Sequence, residues 1–396
     1  MEAATATREA MIRLRGLTKT FAGQEQTAVE HLDLDVPEGE IVVLVGPSGC
    51  GKTTSLRLIN RLIEPTAGTI ELNGEDVTDV HPDRLRRQIG YVIQQVGLFP
   101  HQTIAQNIAT VPQMIGWDSA RTSARVDELL ETVGMEPETY RDRYPRELSG
   151  GQSQRVGVAR AMAADPPVLL MDEPFGAIDP ITRERLQDEF LRLQREVRKT
   201  VVFVTHDIDE AVKMGDRICL MREGGRIAQH DTPERLLTAP ADEFVADFIG
   251  SGALVRGLRL TTISEVELPE YPTLAAEEPG EAGLRKLGES GHEHLVLLDA
   301  ERRPVRWLGA SELGDGARPD PSSGRPIAAR LDAGSTLHDA LDQMLASSIG
   351  LAVVIDEHGA HQGVIDLNTL ARAVGSMREE APSPERDGLA SVEEAR

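Results

Sequence analysis

Ile41-Val42-Val43-Leu44-Val45-Gly46-Pro47-Ser48-Gly49-Cys50-Gly51-Lys52-Thr53 decides the reading of this 396-residue chain. Five apolar residues, four of them β-branched, predict a buried strand. Gly46 to Thr53 meets the pattern G-x-x-x-x-G-K-S/T, and Leu56, Leu58, Ile59 and Leu62 predict the helix that the pattern requires behind it. The chain has only five lysines against 37 arginines, so a chance match is improbable. Glycines let backbone N–H groups turn inward around phosphate oxygens, and a helix N-terminus adds its positive dipole end. Gly46, Pro47, Ser48, Gly49, Cys50, Gly51, Lys52, Thr53 and Thr54 are therefore candidate nucleotide contacts. Lys52 is expected to reach the β and γ phosphates, and Thr53 to offer its hydroxyl to Mg²⁺.

Outward from this loop, β-type runs at residues 89–93, 168–171, 201–205 and 218–221 alternate with helical stretches, which predicts an α/β layer with parallel pairing. Residues 120–133 and 182–197 carry apolar side chains at three- and four-residue intervals. In the second stretch Leu186, Phe190, Leu193 and Val197 share one face and are expected to meet the core. With 40% hydrophobic and 27% charged residues, the composition is that of a globular protein of about two or three domains. A formal charge of −23 argues against a general nucleic-acid or anionic-membrane binder and leaves room for a small local basic pocket. Apolar runs such as residues 41–45 and 351–355 stop at five residues, against the roughly 20 of a membrane span. Residues 2–8 lack a basic-then-apolar leader pattern, so export is not expected. Cys50 and Cys219 show no metal-binding spacing and are expected to be reduced thiols in a reducing cytosol.

The character of the chain changes after Gly250-Ser251-Gly252, which places a domain boundary near 250. Residues 265–283 are rich in Glu, Pro and Ala with weak periodicity. Two later segments resemble each other: 294–309 reads strand, turn, strand, and 351–365 reads strand, turn at Asp356 and Gly359, strand. They suggest a repeated pair of small α/β units, 251–376, followed by a disordered tail at 377–396.

Leu148-Ser149-Gly150-Gly151-Gln152 lies downstream of the phosphate loop, and Leu169-Leu170-Met171-Asp172-Glu173 reads as an apolar strand ending in two carboxylates. In that order the three motifs resemble those of the ATP-binding cassette (ABC) ATPases, over roughly residues 11–250. The resemblance implies an α/β P-loop NTPase domain that binds ATP and Mg²⁺. Asp172 would hold Mg²⁺ through water, since a hard dication takes carboxylate oxygen. Glu173 would be the general base for the attacking water, and His206, in Thr205-His206-Asp207, the histidine that contacts the γ-phosphate. Gln94, with Gln95 beside it, matches the glutamine that touches the metal and water and senses the transporter partner. Ser149, Gly150, Gly151 and Gln152 would close over ATP held by a second copy of the chain, in a head-to-tail homodimer. Asp179 matches the loop that crosses that interface, and Phe21 the aromatic that stacks on adenine; its alternative is a core position at a strand end. Ser153 and Ile178 depart from the commoner Gln and Leu without removing a catalytic group.

Residues 89–101, Asn107-Ile108-Ala109, Gly116-Trp117 and residues 175–183 resemble importer ATPases for glycine betaine, carnitine and choline. That likeness implies integral-membrane permease subunits as partners, an extracytoplasmic solute-binding protein acting indirectly, and a cytoplasmic site at the inner face of the membrane. Where that subfamily carries paired cystathionine-β-synthase (CBS) domains, Thr336, Ala340, Met344, residues 353–356 and residues 363–365 match the second domain; the first is degenerate. The resemblance allows a small regulatory ligand there. Asp366, Leu367, Asn368 and Thr369 depart from the Ser/Thr then Asp of adenosine-binding members, and the 25 acidic against 14 basic residues from 251 to 396 offer no net-basic face for anionic lipid. The alternatives are an importer ATPase for amino acids or another small solute, and a soluble regulatory or mechanical ABC ATPase without a permease.

Overall fold

The computed structural model describes residues 9–23, 26–78, 80–93, 97–176, 178–250, 252–314 and 318–379. The chain divides into two compact units, Met1–Leu236 with Pro240–Phe248, and Leu237–Ala239 with Ile249–Arg396.

In chain order the first unit contains β1 (Ala10–Lys19), β2 (Val29–Pro37), β3 (Ile41–Val45), α1 (Lys52–Ile59), β4 (Ala67–Leu72), β5 (Glu75–Asp76), α2 (Pro82–Arg86) and β6 (Ile89–Val92). There follow α3 (Ile104–Met114), α4 (Ser119–Thr132), α5 (Pro137–Tyr140), α6 (Gly150–Met162), β7 (Val168–Asp172), α7 (Pro180–Val197), β8 (Thr200–Val204), α8 (Ile208–Met214), β9 (Arg217–Arg222) and β10 (Arg226–Asp231). The main sheet has the order β10-β9-β3-β8-β7-β6. From β9 to β6 every pairing is parallel; β10 closes the edge antiparallel. Every residue of β3, β7 and β8 is buried, which is why these strands read as unbroken apolar runs: a parallel sheet covered on both faces has no polar side to alternate with. Each such Val, Leu or Ile contributes about 1.5–3 kcal/mol on burial.

A second, antiparallel sheet, β2-β1-β4-β5, shares a core with the first through Ile12, Leu14, Leu17, Leu34, Val42 and Leu44. The parallel layer expected from the sequence is present, and this antiparallel sheet is an addition to it. On α7 Phe190 is buried and Leu186 and Leu193 are half-buried, but Val197, expected on the core face, is 46% exposed. Gln187 and Gln194 are buried in its place. Gln194 donates to the Gly39 carbonyl and accepts from Lys199 N–H, so it closes the turn into β8 where an apolar residue would leave backbone groups unpaired.

After α9 (Pro233–Thr238) and α10 (Glu243–Ile249) come α11 (Ala253–Gly257), β11 (Thr273–Ala275), α12 (Gly280–Ser290), β12 (His294–Leu298), β13 (Pro304–Gly309) and β14 (Arg325–Pro326). The chain continues with β15 (Arg330–Leu331), α13 (Leu337–Ala346), β16 (Ala352–Ile355), β17 (His361–Ile365) and α14 (Leu367–Glu379). The weakly periodic stretch 265–283 therefore holds a strand and the start of a helix. In the second unit β11 and β15 each run parallel to the strand after the crossover helix, and that strand turns back antiparallel. This is one β-α-β-β pattern used twice. Val296, Leu298 and Trp307 of one sheet and Val353 and Val364 of the other share a core. The Asp356–Gly359 turn forms as its residues demand: Asp356 accepts from His358 and Ala360 N–H at 2.9 and 2.8 Å, and Gly359 takes φ 82°. Residues 377–379, expected to belong to the tail, lie in α14, which runs to Glu379. Residues 380–396 lie outside the described residues.

Candidate active site

The phosphate loop leaves β3 and turns into α1 through three positive-φ glycines. Gly46 has φ 152°, and a Cβ there would lie 2.2 Å from the Met221 carbonyl oxygen; at Gly51, φ 111°, it would lie 2.6 Å from that of Ala28. Only glycine lets the neighbouring backbone come this close. Pro47, Ser48 and Gly49 are exposed, whereas Cys50 is buried and turned inward. No side chain caps α1 and no acid stands in its first turn, so its N–H groups and dipole face the loop uncompensated. Lys52 is buried, and its ammonium donates to the Gly46 and Pro47 carbonyls at 2.6 and 2.9 Å. Thr53 and Thr54 follow on the first turn. Burial pushes the Cys219 thiol up to about 12, with Cys50 nearby adding to it.

Thr53 Oγ1 donates to Asp172 Oδ1 at 2.9 Å. Asp172 ends β7 only 3% exposed, and burial raises its carboxyl above the ordinary range; the Glu173 charge adds to this and the Thr53 hydrogen bond opposes it. Glu173 follows in a left-handed conformation, φ 46°, rare for a residue with a long side chain, and its N–H is tied to the Val204 carbonyl at 3.0 Å. Its Oε1 lies 3.1 Å from His206 Nδ1. His206 stands in the turn from β8 to α8, whose N-terminus Asp207 caps by accepting from Asp209 N–H at 2.8 Å.

The fold thus brings Lys52, Thr53, Asp172, Glu173 and His206 to the same ends of β3, β7 and β8. The Asp172 carboxyl beside the Thr53 hydroxyl offers the oxygen donors that a hard divalent cation takes. Among the described residues no group of three or more His, Cys, Asp or Glu could hold a metal.

Ser149, Gly150, Gly151 and Gln152 belong elsewhere. Ser149 caps α6 in a reciprocal box, Gln152 N–H to Ser149 Oγ at 3.3 Å and Ser149 N–H to Gln152 Oε1 at 2.9 Å, and no acid lies in the first turn. Among the described residues no hydrogen bond joins this cap to the phosphate loop. Asp179 is exposed and caps α7, accepting from Thr182 N–H at 3.0 Å; hydrogen bonds from Thr182 hold its carboxyl below the ordinary range. Phe21 is 37% exposed, which removes the core alternative, and the Lys19 ammonium sits 5.3 Å from its ring centre. Gln94 and Gln95 lie outside the described residues.

Sequence reading missed the support behind His206. Glu210 accepts from Thr205 Oγ1 and, at 2.9 Å, from Gln187 Nε2, and burial raises its carboxyl despite both bonds. Its signal was an acid four residues beyond the histidine, on the next helix. Tyr140, whose hydroxyl accepts from Gln152 Nε2 at 3.2 Å, carried no local signal at all.

Among the described residues no helix is long and apolar enough to cross a membrane. Residues 29–176 match the family model described as ABC transporter. The chain is 44% identical to the osmoprotectant import ATP-binding protein OsmV of Salmonella typhimurium, over 93% of this chain and 97% of that protein. It is 42% identical to the glycine betaine/carnitine/choline transport ATP-binding protein OpuCA of Bacillus subtilis, over 92% and 96%. Among solved structures it resembles the dimeric post-hydrolysis ATP-binding cassette MJ0796 bound to ADP and Pi, with 35% identity, a TM-score of 0.52, and coverage of 56% of this chain and 98% of that one. The chain belongs to the ABC transporter family, as one of its ATP-hydrolysing, ATP-binding proteins.

Proposed function

We propose that this chain energises the import of osmoprotectants, quaternary amines such as glycine betaine, carnitine and choline, through integral-membrane permease subunits at the inner face of the cell membrane. The observation that carries the catalytic reading is the continuous line from the Lys52 cradle through the Thr53–Asp172 hydrogen bond to the Glu173–His206 pair. The near full-length likeness to osmoprotectant import proteins supports the solute class.

ATP enters with its phosphates against the loop N–H groups of residues 46–54 and its adenine against the exposed face of Phe21. Lys52 exchanges the Gly46 and Pro47 carbonyls for phosphate oxygens. Thr53 and Asp172 are the residues to hold Mg²⁺, with Gln94 as the third candidate; bound there, Mg²⁺ supplies positive charge that neutralises the β and γ phosphates. Glu173 orients a water molecule and takes its proton as the water oxygen bonds to the γ-phosphorus and the bond to the β–γ bridging oxygen breaks, releasing ADP and phosphate. His206, braced on Glu173, steadies the transferring group. Ser149, Gly150, Gly151 and Gln152 of a second copy complete the pocket with the N-terminus of α6, whose first turn carries no acid, and Asp179 crosses between copies. The second unit, two β-α-β-β modules, is a CBS pair that regulates hydrolysis or coupling.

The test is ATPase activity in vesicles with the permease partner and the solute-binding protein, with and without glycine betaine or choline, across ionic strength. Stimulation by solute and by salt is expected. Steady turnover indifferent to both refutes the osmoprotectant assignment, and stimulation by an amino acid instead redirects it.

A further inference from the structure

Gln154 sits on the first turns of α6, five residues after Ser149, and is 1% exposed. Neither its amide nitrogen nor its amide oxygen has a hydrogen-bond partner. A buried primary amide with both ends unpaired is rare, since each unmade bond carries the full desolvation penalty of its group. Gln154 lines a cavity of about 30 Å³ together with Val158, Phe175, Ile178 and Phe190.

The far wall belongs to the segment that joins Glu173 to Asp179. Phe175 and Ile178 are buried, Phe175 lies 5.9 Å from the Phe203 ring, and Ile178 N–H bonds the Phe175 carbonyl at 3.2 Å. Ile178 also meets the start of α6: a Cβ on Gly151 would lie 3.7 Å from its Cγ2. One protomer therefore packs the end of its own catalytic segment on the helix it offers to a second copy, and sets an unsatisfied amide at the seam.

We propose that Gln154 is a positioning residue: its amide takes up hydrogen bonds to the backbone of Phe175 or Ile178 when nucleotide draws the subunit into its hydrolytic arrangement, so that α6 and the segment after Glu173 move together. The resting subunit bears the unpaired amide, and the hydrolytic state recovers it. This rests on the reading of Glu173 as the base.

The test replaces Gln154 with Met, similar in volume and without polar ends, in the full chain with its membrane partner, beside the wild type and Glu173→Gln. Gln154→Met is expected to melt no lower than the wild type without nucleotide, to keep KM for ATP within about twofold, and to lose about three- to tenfold in kcat, the worth of one or two neutral hydrogen bonds. Unchanged kcat overturns the proposal. So does a lower melting temperature without nucleotide, which would mean that the amide is already satisfied through water in the resting state. A wild type that does not turn over ATP, or a Glu173→Gln variant that does so normally, strikes the catalytic reading instead.

Discussion

Glu173 holds a left-handed backbone, φ 46°, and replacing it with Asn separates the cost of that backbone from the chemistry of the side chain. A left-handed conformation costs an ordinary L-residue roughly 1–2 kcal/mol, while Asn tolerates it through its short polar side chain. Glu173→Gln is the control. It removes the same charge beside Asp172 and the same carboxylate beside His206, yet keeps the strained long side chain. The difference between Asn and Gln is therefore the relief of strain, about 1 kcal/mol, which for a unit of this size moves a melting temperature by about 2–4 °C. Both variants are expected to lose turnover. The measurement is thermal unfolding of the nucleotide-free chain, followed by a probe in the first unit, beside steady-state ATPase. If Asn melts at or below Gln while both are inactive, backbone strain at Glu173 is not a reservoir the protein maintains for catalysis.

Asp172→Asn removes a carboxylate that burial holds above its ordinary range. Since the folded group binds its proton more tightly than the unfolded one, the native chain loses stability as pH rises through that range. The variant is thus expected to be the more stable at neutral pH, with the advantage fading as pH falls toward about 4 in a melting series; a constant difference refutes it. Gly46→Ala would drive a Cβ into the Met221 carbonyl and is expected to weaken ATP binding at least tenfold by nucleotide titration, whereas Gly49→Ala, with nothing within 4 Å of its Cβ, meets only the strain of φ 81°. Phe190→Ala is expected to destabilise the first unit by about 3–5 kcal/mol, and Val197→Lys on the same helix by less than about 0.5 kcal/mol, both read by denaturant unfolding.

The parallel strands and the phosphate loop were legible because total burial leaves apolar runs and because close backbone approach admits only glycine. β1 was not legible. Its buried Ile12, Leu14 and Leu17 alternate with Arg13 and Arg15, and register irregularities after Leu14 and Arg15 break the pattern. On α7 the apolar stripe ran one residue too far, because periodicity does not foresee that Gln194 is needed inside to pair the backbone at Gly39 and Lys199. Motif order named Lys52, Thr53, Asp172, Glu173 and His206, but not Gln187, which tertiary folding alone brings to Glu210.

On the proposed reading, the Lys52 ammonium, anchored by the carbonyls of its own loop, holds the place of the ligand. An empty loop of backbone donors around a free cation would splay, and nucleotide would then have to order it at an entropic cost. Here the cradle keeps its shape, and arrival of phosphate is an exchange of one oxygen partner for another. On the proposed reading, binding should therefore be quick and nearly free of conformational lag.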